Sequence, residues 1–355
     1  MDLPVVWFVA VAVLWTGYLV LEGFDFGVGM LVRVLGRRED DRKVLLGAIG
    51  PVWDGNEVWL IAAVGSMFAA FPAWYAAMFS GFYLPVLAVL LGLILRGVAL
   101  EYREKAEDAR WRARWDACIT VGSFLPAFVW GLVLANLVRG LPMVPGTLGS
   151  TGSGIVDAGF TDLFDGYAVL GGVLMVALFV LHGAVFLSLK TDGPVRHRAR
   201  ALAVRMSLPV LLLLAGFLGA TLFLRESTWT VWVALASVAS LALAAAAVYR
   251  GREGWAFTAT ATAVAGLSVV IFGSLFPQLL VSTTDPALTL DIRNAASAPY
   301  TLGVMSWVAV VFLPLVIGYQ SWSYWIFRQR LVGERIEPSD APDAPSSPDS
   351  PVNLP

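Results

Sequence analysis

Two acidic pairs sit inside stretches that are otherwise apolar, and they are the residues of this chain best placed to do chemistry. Glu22 and Asp25 lie in Leu21-Glu22-Gly23-Phe24-Asp25-Phe26-Gly27, and Asp54 and Glu57 in Pro51-Val52-Trp53-Asp54-Gly55-Asn56-Glu57-Val58-Trp59. Each pair is spaced i, i+3, which on a helix turns both carboxylates towards one face. Carboxylates held in hydrocarbon are costly, and the default reading of such groups is functional: ion or proton pathways. One more charge, Arg96, is embedded in Leu93-Ile94-Leu95-Arg96-Gly97-Val98, with Glu101 a little further on. A guanidinium stays charged and cannot relay a proton, but it can hold a neighbouring acid ionised.

The elements that position these groups follow from composition. Of 355 residues, 58% are hydrophobic and 14% charged, far from the balance of a soluble domain and typical of an integral membrane protein. The formal net charge of −2 gives no sign of a nucleic-acid partner. A single cysteine, Cys118, excludes an internal disulfide, a thiolate metal cage and a Cys-x-x-Cys-His haem attachment. The first apolar run has no basic leader, is too long for a cleaved signal and contains Glu22 and Asp25, so it is expected to remain in the mature protein.

Apolar runs of membrane length predict an all-α fold with nine transmembrane helices, near 4–32, 47–71, 74–100, 115–138, 163–189, 206–224, 228–249, 255–280 and 299–327. Their connectors alternate in charge. Basic residues crowd after the first helix (Arg33, Arg37, Arg38, Arg42, Lys43), the third (Arg103, Lys105, Arg110, Arg112, Arg114) and the fifth (Lys190, Arg196, Arg198, Arg200, Arg205). More follow the seventh (Arg250, Arg252) and the ninth (Arg328, Arg330, Arg335), whereas the opposite side holds only Arg139, Arg225 and Arg293. The positive-inside rule then puts the N-terminus outside and the C-terminus in the cytoplasm.

A short echo, Leu21-Glu22-Gly23 with Phe26 and Leu181-His182-Gly183 with Phe186, suggests two pseudo-repeated four-helix bundles plus one C-terminal helix. The organisation expected is a first bundle at 1–138, an irregular outer loop at 139–162, a second bundle at 163–280 and an outer loop at 281–298. A ninth helix follows at 299–330, then a Pro/Ser/Asp-rich, disordered cytoplasmic tail at 331–355. Gly23, Gly27 and Gly29 read as sites of close helix approach. Trp7, Trp74, Trp229 and Trp325 read as membrane-interface belts, while Trp53 and Trp59 stand beside the acids.

At about 1.5 Å of rise per residue, Asp25 and Glu22 lie roughly 10 and 15 Å above the cytoplasmic boundary, and Asp54 and Glu57 about 15 and 20 Å. With Arg96 facing Asp54 or Asp25 and Glu101 at the boundary, the groups form a one-sided ladder from cytoplasm to mid-membrane. Such a ladder suits a proton relay bridged by water; the plainer alternative is a structural ion pair that fixes helix packing. A six-coordinate haem needs two axial ligands. The chain has only His182, inside a helix, and His197, in a basic loop, so it cannot house a multi-haem centre. His182 and Trp53 are the weak candidates for any cofactor contact.

The stretches Gly23-Phe24-Asp25-Phe26-Gly27-Val28-Gly29-Met30-Leu31 and Trp53-Asp54-Gly55-Asn56-Glu57-Val58-Trp59-Leu60 resemble subunit II of the cytochrome bd family of quinol oxidases. So do Phe79-Ser80-Gly81-Phe82-Tyr83, Arg110-Trp111-Arg112 with Trp115-Asp116, Asn294-Ala295-Ala296-Ser297 and Met305-Ser306-Trp307-Val308-Ala309. The likeness runs from about residue 17 to about 330 and leaves out the tail. It implies a non-haem subunit of a heterodimeric oxidase in the bacterial plasma membrane, paired with subunit I, which carries the b-type and d-type haems and the quinol site. Such a complex reduces O2 to water in aerobic respiration, using electrons from quinol and protons from the cytoplasm. It builds a membrane potential without true pumping. The resemblance further implies a proton channel near the subunit interface at Asp25, Asp54 and Arg96, with an acid near Glu101; Glu57 stands where some relatives have glutamine. Lipids, quinone and small accessory subunits are the other partners it implies. A proton-coupled secondary transporter is the competing reading, separable by whether the purified assembly is a colourless single chain or a haem-bearing heterodimer.

Overall fold

The computed structural model describes residues 2–146, 154–225 and 227–331. The expected disordered tail lies outside these residues, apart from Leu331, and so does part of the expected outer loop at 139–162. The described chain is a helical bundle built around α1 (Leu3–Leu35), whose 33 residues make it about 50 Å long. α1 packs on α3 (Trp53–Ala70), α6 (Ala109–Arg139), α7 (Gly166–Lys190) and α10 (Glu253–Leu275). Every residue from Glu22 to Val32 is buried, so this stretch has no outward face at all. Small residues make that possible. A Cβ on Gly27 would fall against the backbone of Phe179, and one on Gly183 would lie 2.6 Å from the backbone of Gly27 and Val28. α1 and α7 therefore touch backbone to backbone, with Phe24 stacked on Phe186 at 4.2 Å between ring centroids.

Two of the expected spans are broken. The one expected at 47–71 appears as α2 (Glu39–Ile49) and α3, separated at Gly50-Pro51-Val52. Pro51 has no N–H to give and its ring crowds the preceding turn. The one expected at 74–100 appears as α4 (Pro72–Gly81) and α5 (Tyr83–Tyr102), offset at Phe82. Pro85 cannot donate to the carbonyl of Gly81, so the hydrogen-bond ladder is interrupted where the two segments meet. α8 (Gly193–Leu224), α9 (Thr228–Tyr249) and α11 (Pro299–Ile326) complete the helices. Among the described residues eight of them, α1 and α5–α11, are long and apolar enough to cross a membrane, so the chain is a multi-pass membrane protein. α3 is not one of the eight, because Asp54, Asn56 and Glu57 crowd its first two turns.

At the end opposite the basic connectors, two antiparallel ribbons replace purely irregular loops. They pair β1 (Met143–Val144) with β2 (Ile155–Val156) and β3 (Gln278–Leu280) with β4 (Leu290–Asp291). Trp229 and Trp325 are exposed, as belt residues are, but Trp7 and Trp74 are core residues. The Trp7 indole instead docks α11, donating to the Leu302 carbonyl at 3.2 Å and to Ser306 Oγ at 3.1 Å. α11 is otherwise peripheral. It touches α1 and α3, and only Leu302 along its length is buried.

Candidate functional site

Glu22 and Asp25 leave α1 on one face, directed at α3, and both are completely buried. Arg96 comes from α5. Gly92 and Gly122 let α5 lie on α6 so closely that a Cβ on Gly122 would be 2.9 Å from the Arg96 backbone, and the long side chain then reaches across to α1. Its Nη1 pairs with Glu22 and, at 3.2 Å, with Glu57 Oε1. The guanidinium lies 4.9 Å from the Phe26 ring centroid and 6.0 Å from that of Trp53, so Trp53 serves as a wall for the cation.

Asp25 has a different partner. Its Oδ2 accepts from Asn56 Nδ2 at 2.6 Å, while Asn56 Oδ1 accepts from Gln320 Nε2 at 3.0 Å and Tyr324 Oη at 2.8 Å, both on α11. Helix periodicity, ~100° per residue, accounts for the roles on α3. Asn56 marks the centre of the buried face and Glu57 its edge, with 23% of the Glu57 side chain exposed. Asp54 falls on the far side and is exposed. Arg96 Nε and Nη2, Glu22 Oε2 and Asp25 Oδ1 are buried and have no hydrogen-bond partner among the described residues. They are atoms of the kind that hold water or a second chain.

The structure thus brings Glu22, Glu57 and Arg96 into contact and places Asp25 beside them through Asn56. Where the expected pairing was with Asp54 or Asp25, the ion pairs of Arg96 among the described residues are with Glu22 and Glu57. Asp54 and Glu101 are exposed and form no ion pair among the described residues. His182, the candidate for a cofactor contact, has partners within the chain. Nδ1 bonds Thr260 Oγ1 at 2.7 Å, Nε2 bonds the Val20 carbonyl at 3.2 Å, and the ring stacks on Phe257. Both nitrogens are thus engaged, and His197 is exposed at the basic rim.

Sequence reasoning passed over Asn56, Gln320 and Tyr324, although the last two are polar positions spaced i, i+4 in an apolar helix, a pattern that marks one shared polar face. It also passed over Arg103, which is fully buried just below α5. Arg103 Nε binds Asp116 Oδ1 at 2.6 Å, and Nη1 pairs with Glu39 at 2.9 Å and with Glu104. Arg42 also reaches Asp116, at 3.1 Å, and Arg198 reaches Asp41 at 2.8 Å. This network ties α2 to α6 and α8 at the basic end.

Partial burial opposes ionisation of Glu39 and Asp41. The hydrogen bond from Arg103 to Glu39 and that from Arg198 to Asp41, together with nearby guanidinium charges, outweigh it and hold both carboxyls below their usual range. Both groups bind protons less readily when folded. Their contribution is therefore complete above the ordinary carboxylate range and is lost as pH falls through the depressed values. Below about pH 4, α2 is expected to loosen before α1, seen as faster amide hydrogen exchange across α2. Unchanged protection of α2 from neutral to acid pH would refute this.

Residues 3–327 match the family described as cytochrome bd terminal oxidase subunit II. The chain is 41% identical over 330 residues to cytochrome bd ubiquinol oxidase subunit 2 of Bacillus subtilis (strain 168), covering 92% of this chain and 96% of the relative. It is 35% identical to cytochrome bd-I ubiquinol oxidase subunit 2 of Escherichia coli (strain K12), covering 94% and 96%. In fold it resembles a chain of the bd oxidase from Geobacillus thermodenitrificans, with a TM-score of 0.74 at 19% identity over 92% of this chain and 99% of that one.

Proposed function

Because this chain belongs to the cytochrome bd terminal oxidase subunit II family, and so to a subunit of an oxidoreductase complex, we propose that it feeds protons from the cytoplasm to haems held by a partner subunit. The family match favours this over a secondary transporter. The complex would sit in a bacterial plasma membrane and reduce O2 to water with electrons from quinol. Its haems b and d would be in subunit I, since neither histidine of this chain is free and suitably placed. In that membrane α3 is the ninth crossing, the N-terminus is outside and the basic end is cytoplasmic. α1 to α6 and α7 to α10 form two related bundles, with α11 appended.

One observation carries the reading: three carboxyls, those of Glu22, Asp25 and Glu57, surround a single guanidinium in a buried site. One cation balances one carboxylate. Burying the rest as anions is prohibitive, so the site is suited to hold and exchange protons. Arg96 anchors the cluster, Glu57 opens its edge, and exposed Asp54 presents a carboxylate on the outer face of α3, where a partner chain would meet it. Water at the unpartnered atoms of Arg96, Glu22 and Asp25 would link the steps.

Asp25→Asn and Asp54→Asn, each in the whole purified complex, are expected to slow oxygen consumption at least about tenfold, in line with the loss of a positioned proton carrier. The visible haem spectrum should be preserved. Wild-type rates in both variants would leave the subunit a scaffold only.

A further inference from the structure

α11 contributes almost nothing to the core, yet it sends two side chains towards a fully buried polar residue, Asn56. Gln320 and Tyr324 are one helical turn apart and converge on one atom, Asn56 Oδ1, at 3.0 and 2.8 Å. A primary amide has one carbonyl oxygen and one NH2 group. With the oxygen occupied by two donors, the NH2 group is turned the other way, and there it meets Asp25 Oδ2 at 2.6 Å. The same NH2 group lies 3.5 Å from the Leu21 carbonyl, a longer contact. Remove the two donors and nothing on the oxygen side opposes rotation of the amide, which would present Asp25 with an acceptor instead of a donor. The other charged or titratable groups facing Asp25 are Glu22 on its own helix, Arg96 from α5 and Glu57 from α3. None of these is hydrogen-bonded to its carboxyl, so the orientation of Asp25 depends on Asn56.

We propose that Gln320 and Tyr324 are positioning residues for Asp25, acting through Asn56: they lock the Asn56 amide so that its NH2 group fixes the Asp25 carboxyl in the geometry required for proton transfer. The proposal rests on the proton-feeding role given above. It makes the peripheral last helix part of the proton path, although none of its residues carries the proton.

The test uses the whole purified complex with Tyr324→Phe, Gln320→Leu and the double variant, each with and without Asp25→Asn. Oxygen consumption is measured in H2O and D2O and normalised to haem content. The double variant should lose on the order of tenfold in rate, the scale of one hydrogen bond to a charged group. Its H2O/D2O rate ratio should rise, because proton delivery becomes limiting. Each single variant should lose less, since Asn56 Oδ1 keeps one donor. Tyr324→Phe removes only a hydroxyl and keeps the ring, so it remains informative if the double variant assembles poorly. In the Asp25→Asn background the α11 substitutions should add no further loss.

An unchanged rate ratio, or a full additional loss on top of Asp25→Asn, would overturn the proposal, as would a fall in rate that only tracks lost haem. If Asp25→Asn slows turnover while the α11 variants do not, this inference fails alone. If Asp25→Asn itself turns over at the wild-type rate, the proton-feeding role fails first.

Discussion

Arg96→Gln is expected to remove most of the assembled complex from the membrane, and Glu22→Gln in the same chain to bring it back. Arg96 and Glu22 are both fully buried, and the guanidinium is also the partner of Glu57. Deleting one member of a buried pair strands the other charge and costs about 3–5 kcal/mol, whereas neutralising both is nearly free. In a membrane subunit whose net stability is of the order of 5–15 kcal/mol, the single change consumes a large part of the margin. The measurement is the thermal midpoint of the purified complex together with its yield from membranes. An unchanged midpoint for Arg96→Gln would show that the pair is not structural. The double variant should stay slow in oxygen consumption even where its stability recovers, because a glutamine at position 22 has no proton to exchange.

Gly27→Val should be more severe still. The new Cβ would meet the Phe179 carbonyl and the Gly183 Cα, and neither can swing aside as the end of a flexible side chain could. α1 and α7 would have to separate, breaking the Phe24–Phe186 stack and admitting voids along the Glu22–Val32 stretch. Overpacking alone commonly costs about 1–3 kcal/mol, and a forced separation of two central helices adds lost contacts along both. No accumulated subunit is expected, judged by immunoblot of membranes. Gly216→Ala is the matched control: nothing lies within 4 Å of a Cβ there. Normal accumulation of Gly27→Val would mean that the close approach is not required.

Much of this was legible in the residues themselves. The acids and Arg96 stand out because they are charges in apolar runs, and Gly23 and Gly27 because small residues recur beside them. What the sequence could not give was direction. Spacing of i, i+3 places Asp54 and Glu57 near one another on the helix, yet the buried face is centred on Asn56, and Asp54 turns away from it. Hydropathy windows average composition and so run straight through the breaks at Pro51 and Pro85. The partners of Asn56 lie 264 and 268 residues away along the chain, beyond any local pattern. Arg103 was counted among the basic loop residues, and only the fold reveals that it is enclosed by Asp116 and Glu39. Residue type alone puts Trp7 and Trp74 in an interface belt, because tryptophan is common there, whereas their burial follows from the packing of α11 and the α3–α4 turn.

The placement of α11 also has a consequence for how the subunit is made. Translation delivers the helices in order, N-terminal elements first, so α1, α3 and α5 are available to bring Arg96 to Glu22 while α11 has yet to emerge. The Asn56 amide acquires its two donors only when α11 inserts against α1 and α3. Of the described helices the last to be made is thus the one that completes the Asp25 environment, and a chain lacking α11 would retain the ion pair at its centre but not the finished acid.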